Sequence, residues 1–459
     1  MAEKRVTLRG PGYQVAIAGG AQRPQFIGRT LVVGYRILEL DVKASMLGES
    51  IASLLLPPIS VEGEDSGHVE SLIDYYRFRV VLEQTQDLVM RFGPLTKMVG
   101  VPPEYPAVAR MSLNKRLYPC VFNEVLESGQ LMDEMRREYG SLLESRGLLS
   151  ADGTLVISRD VVGQLRRILS DIAGLVGSTT RIGFQAPRSL AGCEPSEGLR
   201  DPGTLLSLPE GRVSVSCDPD SLARIAGARG ASSLDLKCNY ASPLSSSLIC
   251  DGDGLKFIVK EYTRMQIKWI PASIASAMMY KYRVSPKSRM SAEYRNLRVL
   301  RRIIRTPKIY GVCGTYYSTK MVREYIEGEP VASSHSKHAW RLAGEAIAML
   351  HDNNIAVGDP NPGNFIVTGK GDVALIDAEQ AARFDPKKGL WDLIVFTLYS
   401  LALGADENLV AGALREYFNT ARKSNSIIKE AEKEAIWATI SLIPSIGLKA
   451  RQLIMGQIT

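Results

Sequence analysis

The sequence predicts an α+β chain: a mixed α/β domain first, then a two-lobed region made of a small β-rich lobe and a helical lobe. Three observations carry this reading. Residues 255–262 alternate apolar and polar side chains behind the turn Asp251-Gly252-Asp253-Gly254, as a strand leaving a tight hairpin does. Residues 338–351 place Trp340, Leu342, Ala346, Met349 and Leu350 at helical spacing. Between this helix and the apolar run that starts at Trp391, two short apolar strands flank a Gly- and Asp-containing turn, with Asp359, Asn364 and Asp377 around them.

Length and composition set the bounds. A chain of 459 residues accommodates two or three domains. Its 45% hydrophobic and 23% charged residues are those of a globular protein, and its net charge is +7. None of the cysteines 120, 193, 217, 238, 250 and 313 stands in CxxC spacing, and with four histidines a structural zinc site is not expected. Nothing in the spacing points to a disulfide framework, so reduced thiols and a cytoplasmic location are expected. The start has no apolar core of a signal peptide, and the longest apolar runs fall short of a membrane span. Those runs, 391–405 and 436–448, read as buried helices, the second also able to touch a membrane surface.

Residues 1–182 form the expected N-terminal domain. Arg5–Leu8 and Tyr13–Ile17 flank a Gly-Pro-Gly turn, and Gly28–Val42 supplies a further β-branched stretch. Residues 68–92 carry a helical stripe of Leu72, Ile73, Tyr76 and Val80. A charged helix ends near Gly147, a hairpin turns at Ala151-Asp152-Gly153, and Ser158 caps a second helix. This run fits either a winged-helix module or an ordinary packing domain. Residues 183–211, rich in Pro, Gly and Ser, are the expected linker.

The small lobe is expected over 212–328, with strands at 233–240, 248–250, 255–262, 309–312 and 318–324. Lys260 lies on the third strand. Between it and Glu324 the only carboxylates are Glu261, which faces the other side of the strand, and Glu293, on the helical run 291–300. Residues 269–288 are left as an insertion or an extra helix. The helical lobe is expected over 329–459, with two helices in 406–456. In its hairpin, Phe365-Ile366-Val367 returns as Val373-Ala374-Leu375-Ile376, which brings Asp377 beside Asn364.

These motifs resemble the protein-kinase-like superfamily over about 230–459, and its atypical branches above all: archaeal Ser/Thr kinases and RIO-, UbiB-, lipopolysaccharide-kinase- and aminoglycoside-phosphotransferase-like proteins. Gly358-Asp359-Pro360-Asn361-Pro362-Gly363-Asn364 is similar to their HADPHPGN and HGDLHPGN loops, and Leu375-Ile376-Asp377-Ala378-Glu379 to their IDxE segment. The resemblance implies ATP as cofactor with Mg²⁺ or Mn²⁺ and transfer to a Ser or Thr hydroxyl of a protein, the chain itself included. Asp359 would be the base, Lys260 and Glu293 the phosphate-positioning pair, and Asn364 and Asp377 the metal ligands. Ser245 and Ser246 would meet the phosphates, and Glu324 and Tyr325 the adenine. It further implies that Asp392 anchors the loop carrying Asp359. Glu379 is left either to a second ion or to a salt bridge.

The pattern departs from the family in three places. Val357 stands where most kinases have His, Ala378-Glu379 replaces Phe-Gly, and the loop at 241–247 has no glycine. No activation segment separates Asp377 from Trp391, which weakens the case for a peptide substrate. A small-molecule phosphotransferase and a nucleic-acid-associated ATPase or assembly factor of the same fold therefore stand as alternatives. Residues 256–310 hold fourteen Lys or Arg against two Glu. Such charge suits a polyanion, either RNA or an anionic membrane surface.

Overall fold

The computed structural model describes residues 6–19, 23–64, 66–157, 187–227, 237–241, 246–252, 254–262, 279–433, 437, 440 and 446–458. They fall into two compact units. The first comprises Met1–Phe92, Thr96–Ser216 and Gly314–Tyr316, and the second Gly93–Leu95, Cys217–Cys313 and Tyr317–Thr459.

The first unit opens with a five-stranded sheet in the order Gln25–Ile27, Thr30–Gly34, Tyr13–Ala18, Val6–Gly10, Ser60–Glu62. The stretch expected as β structure from Gly28 to Val42 divides: the strand stops at Gly34, and Tyr35–Ala44 is helix. Leu38, Asp41 and Val42 form its buried side, a three-and-four spacing that strand alternation would break. Asp41 is fully buried and accepts the N–H groups of Leu47, Glu49, Ile51 and Ala52 at 2.9–3.0 Å, which satisfies a loop that would otherwise bury open donors. The helix expected at 68–92 is Ser66–Phe92. Gly129–Ser145 is capped by Ser128, and a Leu149–Leu155 bridge closes the turn after it. The helix expected from Ser158, and with it the winged-helix alternative, lies outside the described residues.

Residues 187–211, within the stretch expected to be a linker, are part of the first unit. Cys193 is disulfide-bonded to Cys120, and the Asn123 side chain holds the Glu194 carbonyl at 2.6 Å and the Ser196 N–H at 2.8 Å. Its Pro and Gly build short anchored turns. The expectation of reduced thiols is likewise corrected: Cys217–Cys313 and Cys238–Cys250 are also paired, and no cysteine is free. Cys238 and Cys250 face each other across neighbouring strands. Such proximity comes from strand register, which the spacing of cysteines along the chain does not display.

In the second unit, five strands run in the order Ile309–Gly314, Thr319–Glu324, Leu255–Tyr262, Ser247–Gly252, Lys237–Tyr240. Phe257 and Val259 face a core with Leu222, Ile225, Cys250 and Val322. Lys260 and Tyr262 take the opposite face of their strand by alternation. Residues 263–278, which include half of the expected insertion, lie outside the described residues. The Pro286–Leu300 helix follows. From Lys337 the unit is mainly helical. The Lys337–Asp352 helix packs closely on Glu407–Thr420, where a Cβ on Gly344 would lie 2.0 Å from the Ala413 carbonyl. Three helices, Glu407–Thr420, Ser424–Ala431 and Ile446–Met455, are described where two were expected. Among the described residues no helix is long and apolar enough to cross a membrane.

Candidate active site

The site is built on the inner face of the Leu255–Tyr262 strand. Lys260, 3% exposed, places Nζ 2.7 Å from Glu293 Oε2, 2.8 Å from Asp377 Oδ2 and 3.4 Å from Glu379 Oε2. Glu293 comes from the middle of the Pro286–Leu300 helix and is fully buried; Tyr262 Oη and Arg323 also donate to it. Arg289, one helical turn before Glu293, pairs with Glu379 at 2.9 Å. Three cations and three carboxylates therefore compensate one another inside the protein, as buried charges must.

The electrostatics follow from this packing. Burial works against a charge on Lys260, but Asp377, Glu293 and Glu379 outweigh it and raise its pKa above the usual lysine value. Burial also pushes Glu293 up, against the pull of Lys260. Asp377 moves the other way: burial would raise it, but Lys260 and then Arg323 hold it down at about 2. Its side chain is 23% exposed, the most open of the three carboxylates.

Asp377 reaches this position through the hairpin. Phe365 pairs with Leu375 and Val367 with Val373, and the Ile376 N–H meets the Asn364 carbonyl at 2.9 Å. The backbones at Asn364 and Asp377 are thus neighbours. Asn364 Nδ2 donates to the Asp359 carbonyl at 3.1 Å, which leaves Oδ1 without a donor among the described residues. One amide oxygen and one half-open carboxylate are hard donors of the kind Mg²⁺ and Mn²⁺ take, so the residues present fit such an ion.

Asp359 lies just after Val357 and Gly358, whose N–H groups donate to the buried Asp392 at 2.6 and 2.8 Å. Gly358 has φ +79°, and a Cβ there would lie 2.5 Å from Tyr280 Oη. Glycine is therefore required before Asp359. His351 places Nε2 3.0 Å from Asp392 and Nδ1 2.7 Å from Tyr417 Oη. Trp391 Nε1 donates to Tyr282 Oη, which donates to the Gly358 carbonyl.

The remaining expected positions do not join this cluster. The Ser246 carbonyl accepts the Glu261 N–H at 2.8 Å, and Ser245 lies outside the described residues. The Glu324 N–H is already paired with the Lys308 carbonyl, and its carboxylate accepts the Lys308 N–H at 3.0 Å. Tyr325 has Lys256 Nζ 4.0 Å from its ring centroid. Of the basic residues in 256–310, Lys260 and Arg289 belong to the ion network, and Arg264 and Lys268 lie outside the described residues. Three participants were not anticipated: Tyr262, Arg323 and Arg289. Each stood at a readable offset. Tyr262 is two residues beyond Lys260 on its strand, Arg323 shares a strand face with Met321, the register partner of Lys260, and Arg289 lies four before Glu293 on the helix.

No family model matches the chain. No curated protein matches it either. Among solved structures it is similar to the crystal structure of an aminoglycoside-3'-phosphotransferase of type VIII, with 13% identity, 53% of this chain and 100% of that chain covered, and a TM-score of 0.31. A likeness of this size assigns no activity.

Proposed function

We propose that the chain is an ATP- and divalent-metal-dependent phosphotransferase acting on a hydroxyl acceptor. The observation that carries this reading is Lys260 held between buried Glu293 and half-open Asp377. A cation fixed from one side beside an open carboxylate suits a polyphosphate and its accompanying hard cation. Lys260 would bind phosphate oxygens, with Glu293 holding its ammonium in place. Asn364 and Asp377 would hold the metal, which when bound neutralises phosphate charge. Asp359 would orient the acceptor hydroxyl and take its proton at a carboxylate oxygen. We take the acceptor to be a Ser or Thr hydroxyl of a protein. A second reading, a small-molecule hydroxyl, is favoured by one observation: only residues 378–385 separate Asp377 from the Pro386–Ala402 helix, too little chain for a broad peptide platform.

The test measures ATP binding and labelled phosphate transfer on one preparation, with and without Mg²⁺ or Mn²⁺, for wild type and Asp359→Asn. Wild type should bind ATP appreciably only with metal. Asp359→Asn should retain that binding and lose turnover by about 10²-fold or more. Metal-independent binding, or full turnover in the variant, would overturn the assignment. Supplying generic protein and small polyols as separate acceptors distinguishes the two readings.

A further inference from the structure

A pocket of about 290 Å³ opens beside the segment that follows Asp377. Three arginines line it: Arg283, Arg295 and Arg383, and no Asp or Glu contributes to its lining. Arg295 and Arg383 are exposed, and among the described residues neither side chain makes a hydrogen bond or an ion pair. Arg283 is half-buried. Its guanidinium donates to the carbonyls of Glu379 at 3.3 Å, Gln380 at 3.1 Å and Ala381 at 3.3 Å, so its charge meets no carboxylate. Burial lowers its pKa below the usual arginine value, and the charge of Arg295 adds to this against an opposing pull from Tyr280. Three like charges gathered in one pocket without a counter-charge repel one another unless an anion joins them.

We propose that this pocket binds the phosphate group of a small phosphorylated molecule, at a position separate from the phosphate-binding role given to Lys260. Guanidinium forks match tetrahedral phosphate oxygens better than ammonium groups do. The volume is at the lower end for small-molecule pockets, which suits a phosphate with a short carbon skeleton. Val299, Leu300 and Ile355 offer that skeleton an apolar wall.

The position couples the pocket to the active site. Asn296 Nδ2 donates to the Ala378 carbonyl at 2.8 Å and the Ala381 carbonyl at 2.9 Å, so the helix of Glu293 and the segment after Asp377 are joined at this pocket. Arg383 stands on the two-residue strand Ala382–Arg383, paired with Ile355–Ala356 just before Gly358 and Asp359. A phosphate bridging Arg283, Arg295 and Arg383 ties together the stretch before the Glu293 helix, the helix itself and the segment after Asp377.

Inorganic phosphate is the probe. Thermal unfolding and titration calorimetry are run on the full chain with phosphate, and with chloride at equal ionic strength as the control. The comparison is wild type against Arg295→Ala/Arg383→Ala, two exposed side chains whose removal breaks no described contact. Arg295→Lys/Arg383→Lys keeps the charge and removes the forks, and serves if the alanine variant folds poorly. Millimolar phosphate should raise the wild-type Tm by several degrees beyond chloride, and the variants should bind phosphate at least tenfold more weakly. Because neither substitution touches Lys260, phosphate bound there contributes equally to all three proteins. Equal affinity in wild type and both variants overturns the proposal. So does a phosphate effect no larger than that of chloride, or arginine-dependent binding of an RNA oligonucleotide without binding of inorganic phosphate.

Discussion

Asp392 accepts the backbone N–H groups of Val357 and Gly358, at 2.6 and 2.8 Å, from a fully buried position on the Pro386–Ala402 helix. One carboxylate thereby ties a packed helix to the loop that presents Asp359. Replacing it by alanine leaves two buried donors and His351 without their acceptor. Asp392→Ala should therefore destabilise the second unit by about 3–5 kcal/mol, and Asp392→Asn by less. Urea unfolding of both variants measures this. A loss below about 1 kcal/mol for the alanine variant would mean that water replaces the carboxylate.

Lys260 and Glu293 form one unit, because each is buried and the pair is joined at 2.7 Å. Lys260→Ala leaves Glu293 with Tyr262 and Arg323; Glu293→Ala leaves Lys260 with Asp377 and Glu379. A double-mutant cycle on catalytic rate should show the second substitution adding little to the first, with a coupling of about 1–3 kcal/mol. Additive losses would show that the two side chains act independently.

How far the sequence discloses this arrangement differs from one element to the next. The Leu255–Tyr262 strand is legible to the residue, since a hairpin turn and period-two alternation both mark it. The Lys260–Glu293 contact is legible because almost no other carboxylate is available between Lys260 and Glu324. The Tyr35–Ala44 helix is not, because Ile37, Leu38, Leu40 and Val42 suit a strand as well as a helix, and the choice rests on packing. The disulfides are hidden for a related reason: Cys217 and Cys313 are brought together by tertiary packing across a separation of 96 residues. The pocket at Arg283, Arg295 and Arg383 is equally invisible, since Arg383 lies far outside the basic run that holds Arg283 and Arg295, and only tertiary packing brings it to them.

Asp377 gives the site a signature in acid. In the unfolded chain an aspartate titrates near 3.8, whereas here Asp377 stays ionised down to about 2. The folded state thus binds fewer protons in that window, and stability from this group falls as pH drops from about 4 to 2. Glu293 has the opposite sign, because its raised pKa lets the folded state take up a proton earlier. Asp377→Asn should flatten the acid limb between pH 4 and 2, measured by urea unfolding at each pH. An unchanged slope there would place the depressed carboxylate elsewhere.

The two disulfides of the second unit should contribute unequally. Cys217–Cys313 closes a separation of 96 residues and Cys238–Cys250 one of 12. In the chain-entropy account, a cross-link stabilises by restricting the unfolded ensemble, and its effect grows with the logarithm of loop length. The long closure then contributes about 5 kcal/mol and the short one about 3 kcal/mol. Alkylating the unreduced, denatured chain comes first; intact mass should show no modified thiol, and six alkylated cysteines would mean that none of the pairs forms. Urea unfolding of Cys217→Ala/Cys313→Ala and Cys238→Ala/Cys250→Ala then compares the two, with the first pair expected to lose about 2 kcal/mol more. An equal loss from both would show that native packing around Cys250 and Cys313, rather than loop closure, governs what each bond contributes.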